Sequence, residues 1–243
     1  MGQFPGRVVL VTGAGTGIGR AIAEGFVREG AKVALVGRRA EKLAEVAAGL
    51  PASQVLQLAC DVGVREAVRG MVARVEGQLG AVQVLVNNAG TNTNPRSLAQ
   101  LADEDWDLTL ATNLTGAFTC VRAVLPAMRR QGGGVILNIS SIAGLRASKL
   151  AGSAYSAAKH GLMALTHVIN EEEREHGIRA CAICPGEVET PILDLRPEPV
   201  SKEHRARLLQ PEDVAAAALF VAGLPPRACV PELVLKPTWQ IYS

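Results

Sequence analysis

The stretch Val8-Val-Leu-Val-Thr-Gly-Ala-Gly-Thr-Gly-Ile-Gly19, which runs directly into Arg20-Ala-Ile-Ala-Glu24, joins a short apolar run to a segment with helical character. Its glycines follow the spacing G-x-x-x-G-x-G, at Gly13, Gly17 and Gly19, and not a strict G-x-G-x-x-G. Such glycines let the chain turn sharply and let an anion approach the N–H groups at a helix N-terminus. The spacing predicts a phosphate-binding loop between a strand and a helix, and a tight turn without a ligand is the alternative.

The same alternation of apolar run and helical segment continues along the chain. Seven runs are predicted strands, at 8–11, 32–36, 55–59, 82–86, 135–139, 178–183 and 233–235, and the predicted helices between them span 17–29, 40–50, 64–79, 103–130, 153–176 and 211–222. Near-continuous apolar strands connected by helical crossovers are typical of a parallel sheet covered on both faces. The fold class is therefore predicted to be α/β, a doubly wound, seven-stranded parallel sheet.

Composition restricts the classes of function. The 243 residues are 48% hydrophobic, carry a net charge of +2 spread along the chain, and predict one domain over 1–243. The sequence has no basic patch of the kind that would indicate nucleic acid as a partner. Its longest apolar run, Val214–Leu224, is too short to span a membrane. The first residues lack the apolar core of a secretory signal, so we expect a cytoplasmic protein.

The five cysteines predict no disulfide framework and no metal site. Their number is odd, and Cys181 and Cys184 form a C-x-x-C within a predicted strand. Residues three apart on a strand face opposite sides of the sheet, so the two thiols are expected to pack in the core.

The end of the second predicted strand indicates which dinucleotide the chain prefers. An acidic residue there binds the ribose hydroxyls of NAD, whereas arginine accommodates the 2′-phosphate of NADP. The strand ends Val36-Gly37-Arg38-Arg39, with no carboxylate before Glu41. Arg38 and Arg39 therefore favour NADP(H), with NAD as the alternative cofactor if the two arginines merely begin the next helix.

One tyrosine and one lysine are spaced for proton transfer. Tyr155-Ser-Ala-Ala-Lys159 places the two side chains at i and i+4, on one face of the predicted helix. A nearby ammonium favours the phenolate and would lower the tyrosine pKa. Polar residues also follow three predicted strands, at 87–90, 138–144 and 185–190, where ligands bind in open α/β sheets.

Taken in order, these motifs resemble the short-chain dehydrogenase/reductase family. The matching pieces, from about Gly6 to Ala222, are TGAGTGIG (12–19), CDV (60–62), NNAG (87–90), the asparagine of ATNLTG (111–116), ISS (139–141), YSAAK (155–159) and PGEVET (185–190). The resemblance implies a Rossmann-like fold, a nicotinamide cofactor, interconversion of a small-molecule carbonyl and alcohol, and a homotetramer or homodimer.

The resemblance also implies roles for individual residues. Tyr155 would be the general acid or base, Lys159 would lower its pKa and hold the nicotinamide ribose, Ser141 would bind the substrate oxygen, and Asn113 would hold a proton-relay water. The expected cofactor contacts are Gly13, Thr16, Gly17, Ile18, Gly19, Arg38, Arg39, Asp61, Val62, Asn87, Ala89, Gly90, Tyr155, Lys159, Pro185, Val188 and Thr190.

Two departures from the family pattern leave alternatives open. Ser141 lies 14 residues before Tyr155, one more than the family pattern, so Ser140 is an alternative. The C-terminal segment 231–238 is more similar to members acting on 3-hydroxy acids and other small alcohols.

The segments expected to form the substrate pocket are 91–98, 142–153 and 190–210. In the second, Arg146 and Lys149 would either bind a substrate carboxylate or be exposed loop positions. In the third, the proline-broken segment predicts a mobile lid, with an inert surface loop as the alternative.

The sequence thus predicts an NADP(H)-dependent oxidoreductase. An NAD-dependent dehydrogenase of the same family and a non-catalytic protein that senses a dinucleotide are the alternatives.

Overall fold

Seven parallel strands form one sheet in the computed structural model, which describes residues 2–241. Met1, Tyr242 and Ser243, at the ends of the predicted domain, lie outside the described residues. The strands are β1 Val8–Thr12, β2 Lys32–Gly37, β3 Val55–Ala59, β4 Val84–Asn87, β5 Gly134–Ile139, β6 Ile178–Pro185 and β7 Glu232–Leu235. Their order, β3-β2-β1-β4-β5-β6-β7, is that of a doubly wound sheet and confirms the predicted fold class.

Helices cover both faces of the sheet. They are α1 Gly17–Arg28, α2 Ala40–Ala47, α3 Arg65–Leu79, α4 Asp103–Leu110, α5 Gly116–Arg130, α6 Ser153–Glu173, α7 Lys202–Arg205 and α8 Pro211–Gly223. Along β1, Val9 and Val11 pack beneath α1, α2 and α8, whereas Val8 and Leu10 pack beneath α3, α5 and α6. Because successive strand residues face opposite sides, one five-residue strand contributes to both cores.

The strand order reverses between β1 and β4, which pair side by side, with Val11 opposite Val86. Chain connections leave these two strands in opposite directions across the sheet, so a crevice opens beyond their carboxyl ends. The polar segments after β1, β4, β5 and β6 meet at this edge and line one cavity.

Two predicted segments differ in detail from the structure. The predicted helix 103–130 is continuous but contains a π-helical turn at Ala111–Thr115, between α4 and α5. The loop 190–210 contains a 3₁₀ turn at Pro191–Leu195 and the short helix α7. The prediction of irregular chain there was incomplete because Ser201 caps α7 by accepting a hydrogen bond from the His204 N–H.

The helical stretch Asp103–Arg130 is, in the described part of the chain, the one helix long and apolar enough to cross a membrane by length and composition alone. Its apolar residues are accounted for by the protein core, where Cys120, Val124 and Met128 are fully buried. A core helix of this kind passes the same test, so the stretch is weak evidence for a membrane span.

Cys181 and Cys184 lie on β6 and face different sides, as predicted. Cys181 packs in the core beneath α1 and α8, whereas the Cys184 Sγ lies 3.4 Å from the Met163 Sδ on α6. Burial raises the pKa of Cys181 to about 12, so both geometry and chemistry make it a core residue.

Candidate active site

A cavity of about 830 Å³ lies at the carboxyl edge of the sheet and brings most of the predicted site residues together. The predicted residues that line it are Gly13, Thr16, Gly17, Ile18, Arg38, Arg39, Asp61, Val62, Ala89, Gly90, Ser141, Tyr155, Lys159, Pro185, Val188 and Thr190. Three other predicted residues, Gly19, Asn87 and Asn113, lie behind this lining.

The glycine-rich loop is held from behind by the segment after β4. The Asn88 side chain donates to the Thr12 carbonyl oxygen at 2.9 Å, and the Thr12 hydroxyl accepts the N–H groups of Asn88 and Ala89, each at 3.0 Å. A Cβ atom on Gly19 would lie 2.3 Å from both the Asn88 Nδ2 and the Gly13 carbonyl oxygen. Gly19 therefore shapes the loop from the inside.

The first turn of α1 opens into the cavity. Thr16 precedes the helix and its side chain makes no capping hydrogen bond, so the N–H groups of this turn are left for a ligand. Gly17 has a φ of +53°, a left-handed conformation that a side chain disfavours. Unpaired N–H groups and the helix dipole together favour a phosphate here.

Positive side chains cluster beside this loop. Arg38 and Arg39 are exposed at the end of β2, and Arg39 is also the N-cap residue of α2. Lys42 lines the cavity as well, and its ammonium pairs with Glu45 at 2.8 Å. Lys42 was not predicted; Arg38 precedes α2, so no helical spacing relates the two residues.

Asn87 and Asp61 have structural roles that their motifs do not reveal. Asn87 is buried and its amide donates to the Asn138 side chain at 2.9 Å, which in turn donates to the Thr166 hydroxyl on α6. This chain of amides ties β4 and β5 to α6. Asp61 accepts the Gly63 N–H at 2.9 Å, which fixes the loop after β3 beside the cavity.

Tyr155 lies on the first turns of α6, half-buried, and faces the end of β5. Burial raises the pKa of its phenol, and a hydrogen bond with Ser141 and the positive charge of Arg96 act in the opposite direction. The Ser140 hydroxyl instead donates to the Lys159 carbonyl oxygen at 3.3 Å. Of the two serines, Ser141 is the one that reaches the tyrosine.

Lys159 is buried behind Tyr155, with its ammonium 5.5 Å from the centre of the tyrosine ring. The ammonium donates to the Ile139 carbonyl oxygen at 2.7 Å. Burial lowers the pKa of Lys159 to about 8, which makes its proton easier to release than that of a solvated lysine.

Asn113 lies in the π-helical turn, almost fully buried. Its amide makes two hydrogen bonds of 2.8 Å to Thr91, accepting from the N–H and donating to the carbonyl oxygen. A Cβ atom on Gly90 would lie 3.5 Å from the Asn113 Oδ1 and 3.8 Å from the Lys159 Nζ, so the two groups flank the same glycine. Single π turns inside α-helices often occur at functional sites.

The far wall is formed by the segment after β6. Pro185, Val188 and Thr190 line the cavity, and a Cβ atom on Gly17 would touch the Thr190 side chain at 3.1 Å. The two walls of the cavity therefore approach closely at the glycine-rich loop.

The two basic residues after Ser141, candidates for binding a substrate carboxylate, lie differently with respect to the cavity. Arg146 lines the cavity from an exposed position, whereas Lys149 is exposed and outside the lining. The buried arginine of the site is Arg96, which the sequence did not single out, because nothing near Asn94-Pro-Arg96 distinguishes it from an exposed loop residue.

Hydride chemistry on a dinucleotide requires a place for the phosphates and a group that moves a proton. The cavity has a phosphate-binding helix terminus at one end and a tyrosine beside a buried lysine at the other. These features, on a sheet of this topology, define the class of nicotinamide-dependent α/β oxidoreductases.

Known proteins identify the family. The family model for short chain dehydrogenase matches residues 7–199, so the chain belongs to the short-chain dehydrogenase/reductase family. It is an NAD(P)-dependent enzyme that acts on CH–OH groups.

Individual relatives are similar over most of their length. The chain is 40% identical over 230 residues to 2-(R)-hydroxypropyl-CoM dehydrogenase of Xanthobacter autotrophicus, covering 89% of this chain and 91% of that protein. It is 37% identical over 196 residues to a 3beta-hydroxysteroid dehydrogenase of Mediterraneibacter gnavus, covering 80% of this chain and 70% of that protein. A metagenomic short-chain oxidoreductase solved with NADP is 33% identical, with a TM-score of 0.84 and coverage of 97% and 99%.

Proposed function

We propose that the chain is an NADP(H)-dependent oxidoreductase that interconverts a carbonyl and a secondary alcohol, with Tyr155 as the general acid and base. The observation that carries this proposal is the placement of Ser141, Tyr155 and Lys159 in the same cavity as the glycine-rich loop. A protein that only binds a dinucleotide would need the glycine-rich loop but not these three side chains.

The residues present fit a dinucleotide. The N–H groups after Thr16 would hold the pyrophosphate, where the chain leaves them without a side-chain cap. Asp61 and Val62 would lie against the adenine, and Ala89 and Gly90 would form the wall beside its ribose, with Asn87 buried behind them. Pro185, Val188 and Thr190 would hold the carboxamide, and Tyr155 and Lys159 the nicotinamide ribose.

Each catalytic side chain has a distinct task. A nicotinamide held by Tyr155, Lys159, Val188 and Thr190 would supply the hydride chemistry at the carbonyl carbon in either direction. Tyr155 donates a proton to the carbonyl oxygen in reduction and removes it from the hydroxyl in oxidation. Ser141 donates a hydrogen bond to the same oxygen and thereby orients it. Lys159, with its lowered pKa, returns the proton to Tyr155, and Asn113 orders the path by which the proton arrives.

The preference for NADP(H) is supported by three cations and by the absence of a carboxylate at the end of β2. Arg38, Arg39 and Lys42 line the cavity beside the loop, and the guanidinium groups are suited to a phosphate. The solved relative that binds NADP is consistent with this preference. If the arginines serve only α2, NAD would bind as well as NADP.

The substrate end is completed by the segment 190–210, which we propose acts as a lid within a single catalytic domain. Ile192, Leu193 and Leu195 line the cavity from this segment. We also propose a homotetramer or homodimer, since Leu108 on α4 and Val168 on α6 expose apolar side chains. Light scattering after size-exclusion chromatography would measure the number of subunits.

The function is tested by following NADPH oxidation with a panel of ketones and aldehydes, with cofactor binding measured separately by calorimetry. We expect turnover with at least one carbonyl, and a loss of about 10²–10⁴-fold in kcat for Tyr155→Phe, since this variant removes only the acidic hydroxyl. Binding of NADPH without any turnover would support the dinucleotide sensor. Full turnover by Tyr155→Phe would refute the assigned acid.

A further inference from the structure

Arg96 is a buried cation at the substrate end of the cavity. Its side chain is 8% exposed, and the guanidinium donates to three carbonyl oxygens, those of Thr93 at 3.1 Å, Leu150 at 2.9 Å and Leu195. None of the ion pairs among residues 2–241 includes Arg96. A buried charge is normally paired, so the charge of Arg96 has no counterpart in the described chain.

The nearby carboxylates are already engaged elsewhere. Glu187 pairs with Arg196 at 2.9 Å, and Arg205 pairs with Glu189 at 2.7 Å and with Asp194. Burial lowers the pKa of Arg96, and the neighbouring charge of Arg196 lowers it further. These three carboxylates are therefore paired with arginines other than Arg96.

Arg96 lies beside the proposed acid. Its backbone and the base of its side chain pack against Gly152, where an added Cβ would lie 2.8 Å from the Arg96 Cβ. Gly152 caps α6 three residues before Tyr155. Both Arg96 and Tyr155 line the cavity, and the Arg96 charge acts to lower the pKa of the Tyr155 phenol, so a group bound to the guanidinium would lie on the tyrosine side of the cavity.

The hydrogen bonds of Arg96 leave two of its N–H groups unused. A guanidinium has five N–H groups, and the three bonds use one on each of its nitrogens. One N–H remains on each terminal nitrogen, which is the number that a bidentate carboxylate requires.

We propose that the substrate carries a carboxylate that binds Arg96, so that the enzyme reduces oxo acids and oxidises hydroxy acids. The inference rests on the proposed function and specifies its substrate class. The carboxylate forms no covalent bond; it pairs with the guanidinium and places the carbonyl against Ser141 and Tyr155.

A purely structural role for Arg96 is the competing explanation, because two of its three bonds join the loop after β4 to the loop after β5 and to the lid. Loss of that role would impair every substrate alike. The informative quantity is therefore a ratio, kcat/KM for an acid divided by kcat/KM for its uncharged analogue.

The first experiment uses the unaltered protein and matched substrates of the 2-oxo, 3-oxo and 4-oxo series, each as the free acid, the methyl ester and the primary amide. We expect the acid of one series to exceed its ester at least about tenfold in kcat/KM, the effect of one hydrogen bond to a charged group. Equal kcat/KM values for acid and ester in every series would refute the proposal that the substrate carries a carboxylate. No turnover of any carbonyl in the wider panel would count against the proposed function instead.

The second experiment compares Arg96→Met with Arg146→Met, which removes the same charge from an exposed position on the cavity wall. We expect Arg96→Met to reduce the acid-to-ester ratio at least about tenfold, and Arg146→Met to change it less than about threefold. Arg96→Lys should restore part of the ratio, since it restores the charge but not the fork. An unchanged ratio in Arg96→Met, or an equal fall in both Met variants, would refute Arg96 as the carboxylate site.

If Arg96→Met does not fold, inhibition of the unaltered protein answers the same question. Simple aliphatic carboxylates should compete with the carbonyl substrate, and the matching amides should not. Inhibition by acid and amide alike would refute the proposal.

Discussion

The ammonium of Lys159 donates a 2.7 Å hydrogen bond to the carbonyl oxygen of Ile139, the last residue of β5. Lys159 is 4% exposed and, among residues 2–241, forms no ion pair with a carboxylate. Holding this cation inside the protein opposes folding, because the charged form is better solvated in the unfolded chain.

Lys159→Met is expected to stabilise the protein at pH 7. The pKa of Lys159 is about 8 in the folded protein and 10.5 in the reference state, so the unfolded chain binds the proton more tightly between these values. The wild-type free energy of unfolding should therefore rise with pH from about 8 to 10.5. Below pH 8 the full cost of burying the charge, roughly 3 kcal/mol, opposes folding of the wild type. Loss of the hydrogen bond to Ile139 reduces the expected stabilisation of Lys159→Met by about 1 kcal/mol.

The measurement is urea unfolding of both proteins from pH 6 to pH 10. The advantage of Lys159→Met should shrink as pH rises. Lys42→Met, which removes a surface lysine, controls for the change in net charge and should follow the wild type. A Lys159→Met protein less stable than the wild type at pH 7 would contradict the predicted penalty.

Arg38→Ala should weaken NADP binding more than NAD binding. Arg38 lies at the cavity end of β2, where it would contact the 2′-phosphate that NAD lacks. Loss of one hydrogen bond between charged groups corresponds to about 10–100-fold in Kd. Calorimetry with both cofactors measures the ratio of Kd for NADP to Kd for NAD. Arg20→Ala, on the outer face of α1 and paired with Glu24, is the control and should leave the ratio unchanged. Equal weakening of both cofactors would exclude Arg38 from phosphate discrimination.

Gly19→Ala should destabilise the protein and weaken dinucleotide binding. The new methyl group would lie 2.3 Å from the Gly13 carbonyl oxygen and from the Asn88 amide, so the loop must shift. Overpacking of this kind costs about 1–3 kcal/mol. Gly70→Ala is the control, because Gly70 is in α3 with nothing within 4 Å of its added Cβ, and the substitution should stabilise by about 0.5–1 kcal/mol. Thermal unfolding of Gly19→Ala at the wild-type midpoint would show that the loop tolerates the methyl group.

Asn113→Ala should lower kcat beyond what its loss of stability explains. The matched control is Asn170→Ala, because Asn170 also makes two hydrogen bonds to the backbone of one residue, Ala180, at 2.7 and 2.9 Å. Asn170 bonds to β6 through Ala180, whereas Asn113 lies directly behind Gly90 of the cavity wall. Both variants should unfold at lower urea concentration, but only Asn113→Ala should lose kcat, by at least about tenfold. A similar kcat for the two variants would remove Asn113 from the proton path.

The sheet and the pairing of Tyr155 with Lys159 were predictable because both follow from local patterns. Apolar runs buried on both faces mark parallel strands, and an i, i+4 spacing places two side chains on one helix face. Because the motifs follow the carboxyl ends of parallel strands, they lie at one edge of the sheet whatever the conformation of the loops.

The π-helical turn and the burial of Arg96 could not be predicted, since distant partners determine both. Asn113 holds its turn through Thr91, 22 residues away. Arg96 is buried by carbonyl oxygens 54 and 99 residues along the chain, at Leu150 and Leu195. The periodicity of a short window contains no information about such contacts.

The two ends of the cavity differ in how substitutions would alter them during divergence. At the end beneath α1, backbone N–H groups and glycines form the surface, so most side-chain changes there either leave the shape intact or destroy it. At the opposite end, Arg96 and the residues of three loops form the surface, and each can be exchanged without moving the sheet. A change of substrate is therefore accessible through single substitutions, whereas the binding of a pyrophosphate is inherited with the backbone itself.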